Sequence, residues 1–352
     1  MKSTILHRPL DTLWKDPRPP MVMGILNLTP DSFSDGGRFE KPDIALRHAL
    51  AMIEAGAEII DVGGESTRPG ACSVGVAEEI DRVLPLIEAL ACESDIPISI
   101  DTSKPDVMRA AVAAGASMIN DVRALGVPGA VDAAADLGVP VCLMHLQGEP
   151  GTMQDAPHYD DVVGEVQAFL LERARVCEDR GLPKDRIVID PGFGFGKTLD
   201  HNLALLGALE RLAGNGYPVL VGMSRKSMVK GIFERMRGFG QSAKTNPANP
   251  ANPENPARGS GSLSLTNSSA ASFADRRMVG SVALAMIAAQ RKAAAVRVHD
   301  VAETCAAIDI LACIEGFEAD GSEHPEQSLD SPDKGSSDKN SPNKQSEETR
   351  AR

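Results

Sequence analysis

Apolar residues along the chain fall into short β-branched runs, each followed by an alanine- and leucine-rich stretch with apolar positions at helical spacing. This two-part unit recurs along most of the sequence. The runs predict strands at 22–28, 58–62, 98–100, 118–120, 139–144, 186–190, 219–222 and 295–298. They are nearly continuous in hydrophobicity, as parallel strands buried on both faces are. Eight such strands separated by helices predict an α/β fold, an eight-stranded parallel (β/α)8 TIM barrel, with a doubly wound open sheet as the structural alternative.

Two segments interrupt the pattern. Residues 238–274 are rich in Gly, Ser, Asn and Pro and carry four Asn-Pro pairs, beginning at Asn246, Asn249, Asn252 and Asn255. Proline pushes the residue before it out of the helical region, so a flexible, low-complexity inserted loop is expected after strand seven. Residues 319–352 have no periodic apolar face and predict a disordered polar tail, unable to bury enough surface to offset ordering entropy. The expected organisation is therefore one barrel over 1–318 and a tail over 319–352.

Composition sharpens the class. Of 352 residues 42% are hydrophobic but only 3% aromatic, so the core must be aliphatic. With 36 basic and 49 acidic residues the net charge is -13, which opposes binding nucleic acid or a membrane surface through a general basic field. Any bound anion must be held by a few placed side chains. The six cysteines form no CxxC pair and read as reduced thiols in a cytoplasmic protein. No HxH or HExxH occurs, and His145 reads equally as a packed residue or a ligand. The first twenty residues lack an apolar signal region, and no apolar run is long enough to span a bilayer.

A parallel barrel presents its active site at the carboxyl ends of its strands, and nearly every predicted strand here ends in polar groups. In chain order these are Asn27, Thr29 and Asp31; Glu65, Ser66, Thr67 and Arg68; Asp101 and Thr102; Asn120 and Asp121; Met144 and His145; Asp190; Ser224, Arg225 and Lys226; and Arg297, His299 and Asp300. Helix N-caps explain some of these singly, but not eight sets in register. The glycine-rich run 192–198 ends like a phosphate loop, yet the first required glycine falls on Pro191, and the dinucleotide fingerprint fails at Lys197. Residues 35–37 and 63–70 have the glycine-hinged polar composition of active-site lids, with a plain turn as the alternative for the first.

Residues 23–37 (MGILNLTPDSFSDGG) and 61–70 (DVGGESTRPG) resemble the two signature motifs of the dihydropteroate synthases. The runs DTSKP at 101–105, IND at 119–121, DPGFGFGK at 190–197, SRKS at 224–227 and RVHD at 297–300 resemble the family's remaining site motifs, in order, so that the resemblance covers residues 20–315. It implies condensation of 6-hydroxymethyl-7,8-dihydropterin pyrophosphate with p-aminobenzoate to give 7,8-dihydropteroate and pyrophosphate. By the same matching Asp190 would read the pterin ring NH and amino group, Asn120 the opposite edge, Asp101 another ring NH and Lys226 the ring carbonyl, with Met144 and Phe195 lining the slot. Arg68, Arg297, His299 and Asn27 would face pyrophosphate, Asn27 also binding a Mg²⁺ cofactor, while Phe33, Thr67, Pro69 and Ser224 would shape the p-aminobenzoate pocket.

The resemblance further implies that Asp101, Lys226, Arg297 and His299 assist catalysis, and that the protein is a cytoplasmic homodimer and a sulfonamide target. Three rival readings stand beside it. A pterin methyltransferase of the same superfamily would lack the Ser66-Thr67-Arg68-Pro69 loop and the Arg297-Val298-His299 run. An aldolase would use Lys226 as Schiff-base nucleophile. A non-catalytic paralogue would bind pterin or a partner without turnover.

Overall fold

The computed structural model describes residues 19–28, 41–66, 73–149, 151–242 and 273–321. The chain divides into a unit spanning Met1–Cys313 and a second, Ile314–Arg352, of which only the end of the last helix is described. Among the described residues of the first unit there are eight strands: β1 (Met21–Asn27), β2 (Ile59–Gly63), β3 (Ile98–Asp101), β4 (Met118–Asp121), β5 (Val141–Met144), β6 (Ile187–Asp190), β7 (Leu220–Val221) and β8 (Ala295–Val298). The helices between them are α1 (Lys41–Glu54), α2 (Val76–Glu93), α3 (Pro105–Ala113), α4 (Ala130–Leu137), α5 (Val162–Asp179), α6 (Leu199–Gly207), α7 (Leu209–Ala213), α8 (Ser227–Ser242) and α9 (Phe273–Gln290), with α10 (Val301–Gly321) after β8.

All pairings are parallel, in the order β6-β5-β4-β3-β2-β1-β8-β7. A parallel bridge between Ile189 and Val219, with the Ile189 N–H donating to Pro218 O at 3.0 Å, brings β6 beside β7 and completes the circuit. A doubly wound sheet would reverse its strand order midway and leave two edges, so the barrel reading holds. Strand limits differ from the sequence expectation by a residue or two. Residues 184–186 form a 3₁₀ turn that delivers the chain into β6, and β5 begins only after Pro140, which has no N–H to give a ladder.

The expected insertion is helical at both margins, α8 running to Ser242 and α9 opening at Phe273. The four Asn-Pro pairs lie outside the described residues. Likewise α10 continues to Gly321, past the expected start of the tail at 319, and the rest of the tail lies outside them.

Side chains alternate across each strand, so one set faces the helices and the other the barrel axis. Ile60, Val62, Ile98, Ile100, Ile119, Val141 and Leu143 join the helices in the main core. On α2, Val83, Leu86, Ile87 and Leu90 recur at helical spacing and are fully or nearly fully buried, which is why that stretch is helical. The axial set, Met21, Met23, Ile59, Met118, Cys142, Val188, Leu220 and Ala295, forms a separate apolar floor. Its three methionines, unbranched and adaptable, suit the irregular space at the axis.

Candidate active site

Two residues beyond that floor, the inward positions change character. Ile59 gives way to Asp61, Met118 to Asn120, Val188 to Asp190 and Ala295 to Arg297, while Asp101 follows the already polar Ser99 and Met144 keeps its position apolar. The period of two that builds the apolar floor thus stacks a polar layer on it at the carboxyl ends of the strands. Arg297 holds this layer together: its Nε donates to Asp61 Oδ2 at 2.6 Å and its Nη2 to Asp101 Oδ2 at 2.8 Å. Asn120 Nδ2 donates to Asp61 Oδ2 at 3.2 Å. Gly63 and Gly222 lie on the rim beside Asn27 Oδ1 and Lys226 Nζ, where an added Cβ would make only ordinary contacts, at 3.4 and 3.7 Å.

Burial sets the electrostatics. It pushes the Asp101 carboxyl up to about 7, with Arg297 opposing and Asp61 reinforcing the rise. It also raises Asp190, against the pull of Lys226 and the Gly192 N–H. Burial lowers Lys226 to about 8, although Asp190 favours its charge. For Arg297 burial works against the cation, but Asp61 and Asp101 outweigh it and hold the guanidinium above its ordinary value. Above the layer, Val122, Met144, Met153 and Phe195 form a small apolar cluster, so the expected slot residues Met144 and Phe195 do meet. Lys226 Nζ lies 4.3 Å from the Phe195 ring centroid and donates to Phe193 O at 2.6 Å.

The glycine-rich loop after β6 is clasped by Lys197, a residue the sequence pattern left without a role. Only 3% exposed, it donates to Gly192 O at 3.0 Å and Phe195 O at 2.9 Å and meets His145 Nδ1 at 2.9 Å. A phosphate loop offers its N–H groups, whereas here the Gly192 N–H goes to Asp190 Oδ1 at 2.7 Å and the Gly194 N–H to Asn202 Oδ1 at 2.8 Å. The geometry therefore supports rejecting the nucleotide readings. Gly192 is obligatory, because its φ is +67° and a Cβ would fall 1.9 Å from His145 O. Burial and the Lys197 charge lower His145 to about 3, so its imidazole is neutral and packed.

At β7 and β8 the polar ends separate into two kinds. Ser224 Oγ accepts from the His299 N–H at 3.2 Å and lies 3.1 Å from His299 Nδ1, joining two expected site residues. Arg225 instead pairs with Asp300 through its Nε and Nη2, and its backbone N–H donates to Ser281 Oγ at 2.9 Å. This outward clamp leaves Ser224 and Lys226 on either side facing the barrel mouth. Elsewhere Asp121 accepts from Ser103 Oγ and, at 2.8 Å each, from the Arg123 and Leu125 N–H groups, so it shapes a turn. Lys104 bridges Glu65 and the buried Glu79. Phe33, Thr67, Arg68 and Pro69 lie outside the described residues.

Among the described residues no group of three or more His, Cys, Asp or Glu is arranged to hold a metal. A protein cage for Mg²⁺ is therefore not what these residues offer. The half-buried Asn27, whose Oδ1 lies beside Gly63, has the hard oxygen donor that fits the other common arrangement, one protein ligand completing a phosphate-bound Mg²⁺.

The family model described as pterin binding enzyme matches residues 23–251. The dihydropteroate synthase of Escherichia coli K12 is 48% identical over 292 residues, 83% of this chain and 90% of that protein. A Xanthomonas albilineans dihydropteroate synthase solved with 4-aminobenzoic acid superposes with a TM-score of 0.68 at 48% identity, covering 84% of this chain and 93% of that one. The same organism's enzyme in complex with 7,8-dihydropteroate gives a TM-score of 0.66 at 45% identity, with 84% and 94% covered. With seven matching motifs, a closed barrel and a polar layer at its strand ends, the chain belongs to the dihydropteroate synthases.

Proposed function

We propose that the layer of Asp101, Asn120, Asp190, Lys226 and Arg297 at the barrel mouth is the site where this transferase joins 6-hydroxymethyl-7,8-dihydropterin pyrophosphate to p-aminobenzoate, releasing pyrophosphate and forming 7,8-dihydropteroate. The observation that carries this reading is the convergence of acceptor and donor groups beside the Met144–Phe195 slot. A pterin presents an amide-like array of donors and acceptors on a flat ring, and carboxylates, an amide and an ammonium around an apolar slot complement it. Asp190 takes the ring NH and amino group, Asn120 the opposite edge, Asp101 a further ring NH and Lys226 the ring carbonyl.

An arylamine is a weak nucleophile, so the lower barrier makes the electrophile first. The bond between the exocyclic carbon and the pyrophosphate oxygen breaks, its electron pair leaving with pyrophosphate. The amine lone pair then forms the new carbon–nitrogen bond and the nitrogen gives up a proton. Asp101 stabilises the positive charge spreading into the ring, and Arg297 and His299 stabilise the departing anion. Asn27 would hold a phosphate-bound Mg²⁺ on this side, where the ion would supply further neutralisation of that anion. Arg68 joins the pyrophosphate side, and Phe33, Thr67, Pro69 and Ser224 border p-aminobenzoate; four of these five come from motif matching alone.

The protein acts in the cytoplasm as a homodimer in this reading. No helix among the described residues is long and apolar enough to cross a membrane. Met236 on α8, Val279 on α9 and Ile310 on α10 are each more than half exposed, and in this reading a second copy would cover apolar side chains of this kind. Incubating the chain with both substrates and Mg²⁺ tests the activity: mass spectrometry should show 7,8-dihydropteroate. No product, with both substrates bound, would favour the non-catalytic paralogue.

A further inference from the structure

Asp61 has no role in the substrate contacts proposed above, yet it is fully buried in the polar layer, and burying a carboxylate is expensive. The apolar floor beneath it shows that inward positions on these strands accept aliphatic side chains. Both of its contacts in the layer go to proposed substrate-binding residues on other strands. Its Oδ2 accepts from Arg297 Nε at 2.6 Å and from Asn120 Nδ2 at 3.2 Å, and its Oδ1 lies 3.4 Å from the same Asn120 nitrogen.

An ionised carboxylate only accepts hydrogen bonds. The Asn120 amide must therefore turn its NH₂ toward Asp61, and its Oδ1 lies on the side away from it. A flipped amide would set Oδ1 against the carboxylate oxygens, two acceptors with no proton between them. Arg297 is held by the same atom through Nε, so Asp101 engages only Nη2, at 2.8 Å. Without Asp61 the guanidinium would keep Asp101 as its one hydrogen-bonded carboxylate in the layer, drawing that side chain toward itself. Asp61 also reinforces the rise in the Asp101 pKa, behind the larger effects of burial and Arg297.

We infer that Asp61 is a positioning residue for the pterin site, which fixes the orientation of the Asn120 amide and the Arg297 guanidinium so that Asn120 presents an acceptor to a donor N–H of the ligand. The inference rests on the assignment of Asn120 and Arg297 to the substrate. Asp61→Asn separates the alternatives, because an amide at 61 can donate as well as accept and so permits either orientation of Asn120. In steady-state assays of the full chain with Mg²⁺, the KM for the pterin pyrophosphate should rise at least tenfold and kcat should fall by less. The KM for p-aminobenzoate should stay within twofold.

Because Asp61 acts through Asn120, the factor lost on Asp61→Asn should shrink at least threefold in a chain already carrying Asn120→Ala. A general loosening of the barrel would multiply through unchanged. A pterin KM within twofold of the unsubstituted chain, or an equal factor in both backgrounds, overturns the inference. If Asp61→Asn does not fold, Asp61→Ser is judged on the same measurements, and failure of both to fold overturns it as well, making Asp61 a folding residue. Should the unsubstituted chain not bind the pterin pyrophosphate in calorimetry, the site assignment itself is what fails.

Discussion

Arg297→Gln removes the one guanidinium standing between Asp61 and Asp101, at 2.6 and 2.8 Å. Taking away one partner of a buried ion pair costs about 3–5 kcal/mol, because the remaining charge is left desolvated and alone. Protonation relieves part of that cost, and this makes the loss pH-dependent. Asp101 already has its pKa raised to about 7, mainly by burial and against the pull of Arg297, so it rises further in the variant. A carboxyl raised on folding contributes stability that is complete below its unfolded pKa and lost as pH climbs through its folded one.

In the parent chain that loss levels off above about 7, whereas in the variant it continues at about 1 kcal/mol per pH unit until the higher pKa is passed. At pH 5, where Asp101 keeps its proton in both folded chains, the cost is chiefly the broken contact with Asp61, about 3 kcal/mol. At pH 8 it should be about 1 kcal/mol larger. Urea unfolding of both chains at the two pH values measures the difference. Equal destabilisation at pH 5 and pH 8 would refute the idea that Arg297 holds down the Asp101 pKa.

Asp190→Asn should weaken pterin binding by about 2–5 kcal/mol in calorimetry. The Gly192 N–H at 2.7 Å demands the amide oxygen, which leaves the NH₂ facing the donors of the ring. We expect p-aminobenzoate to bind undetectably alone and measurably once pterin, pyrophosphate and Mg²⁺ are present, since Thr67 and Pro69 share a loop with the pyrophosphate residue Arg68. Equal affinity in both conditions would mean a preformed pocket. Deleting residues 319–352 should leave kcat/KM within a few-fold, a larger loss showing that the tail contributes to the site.

The strands were legible because each is a short, doubly buried apolar run, and the barrel because there are eight of them. Closure itself was not legible: it rests on the two-residue β7 and one bridge from Val219 to Ile189, which an open sheet would lack. Asp101, Asn120 and Asp190 stand out at the polar ends of apolar runs and Lys226 follows one closely, whereas Asp61, like Arg297, sits inside its run. Its partner Arg297 is 236 residues away, a separation at which local pattern carries no signal. The strand-end rule also over-counted, gathering Asp121, Arg225 and Asp300 with the site although they clamp turns beside it. Lys197 was overlooked because a lysine after glycines suggests an anion, whereas here it satisfies buried carbonyls.

Pyrophosphate release from the pterin substrate, followed with and without p-aminobenzoate, bears most directly on the chemistry assigned to the barrel mouth. With p-aminobenzoate, pyrophosphate and 7,8-dihydropteroate should appear in equal amounts. Without it, a slower release should persist as water captures the pterin cation. No release in the presence of p-aminobenzoate would contradict the assigned reaction, and release strictly dependent on p-aminobenzoate would contradict the order of bond breaking and bond making.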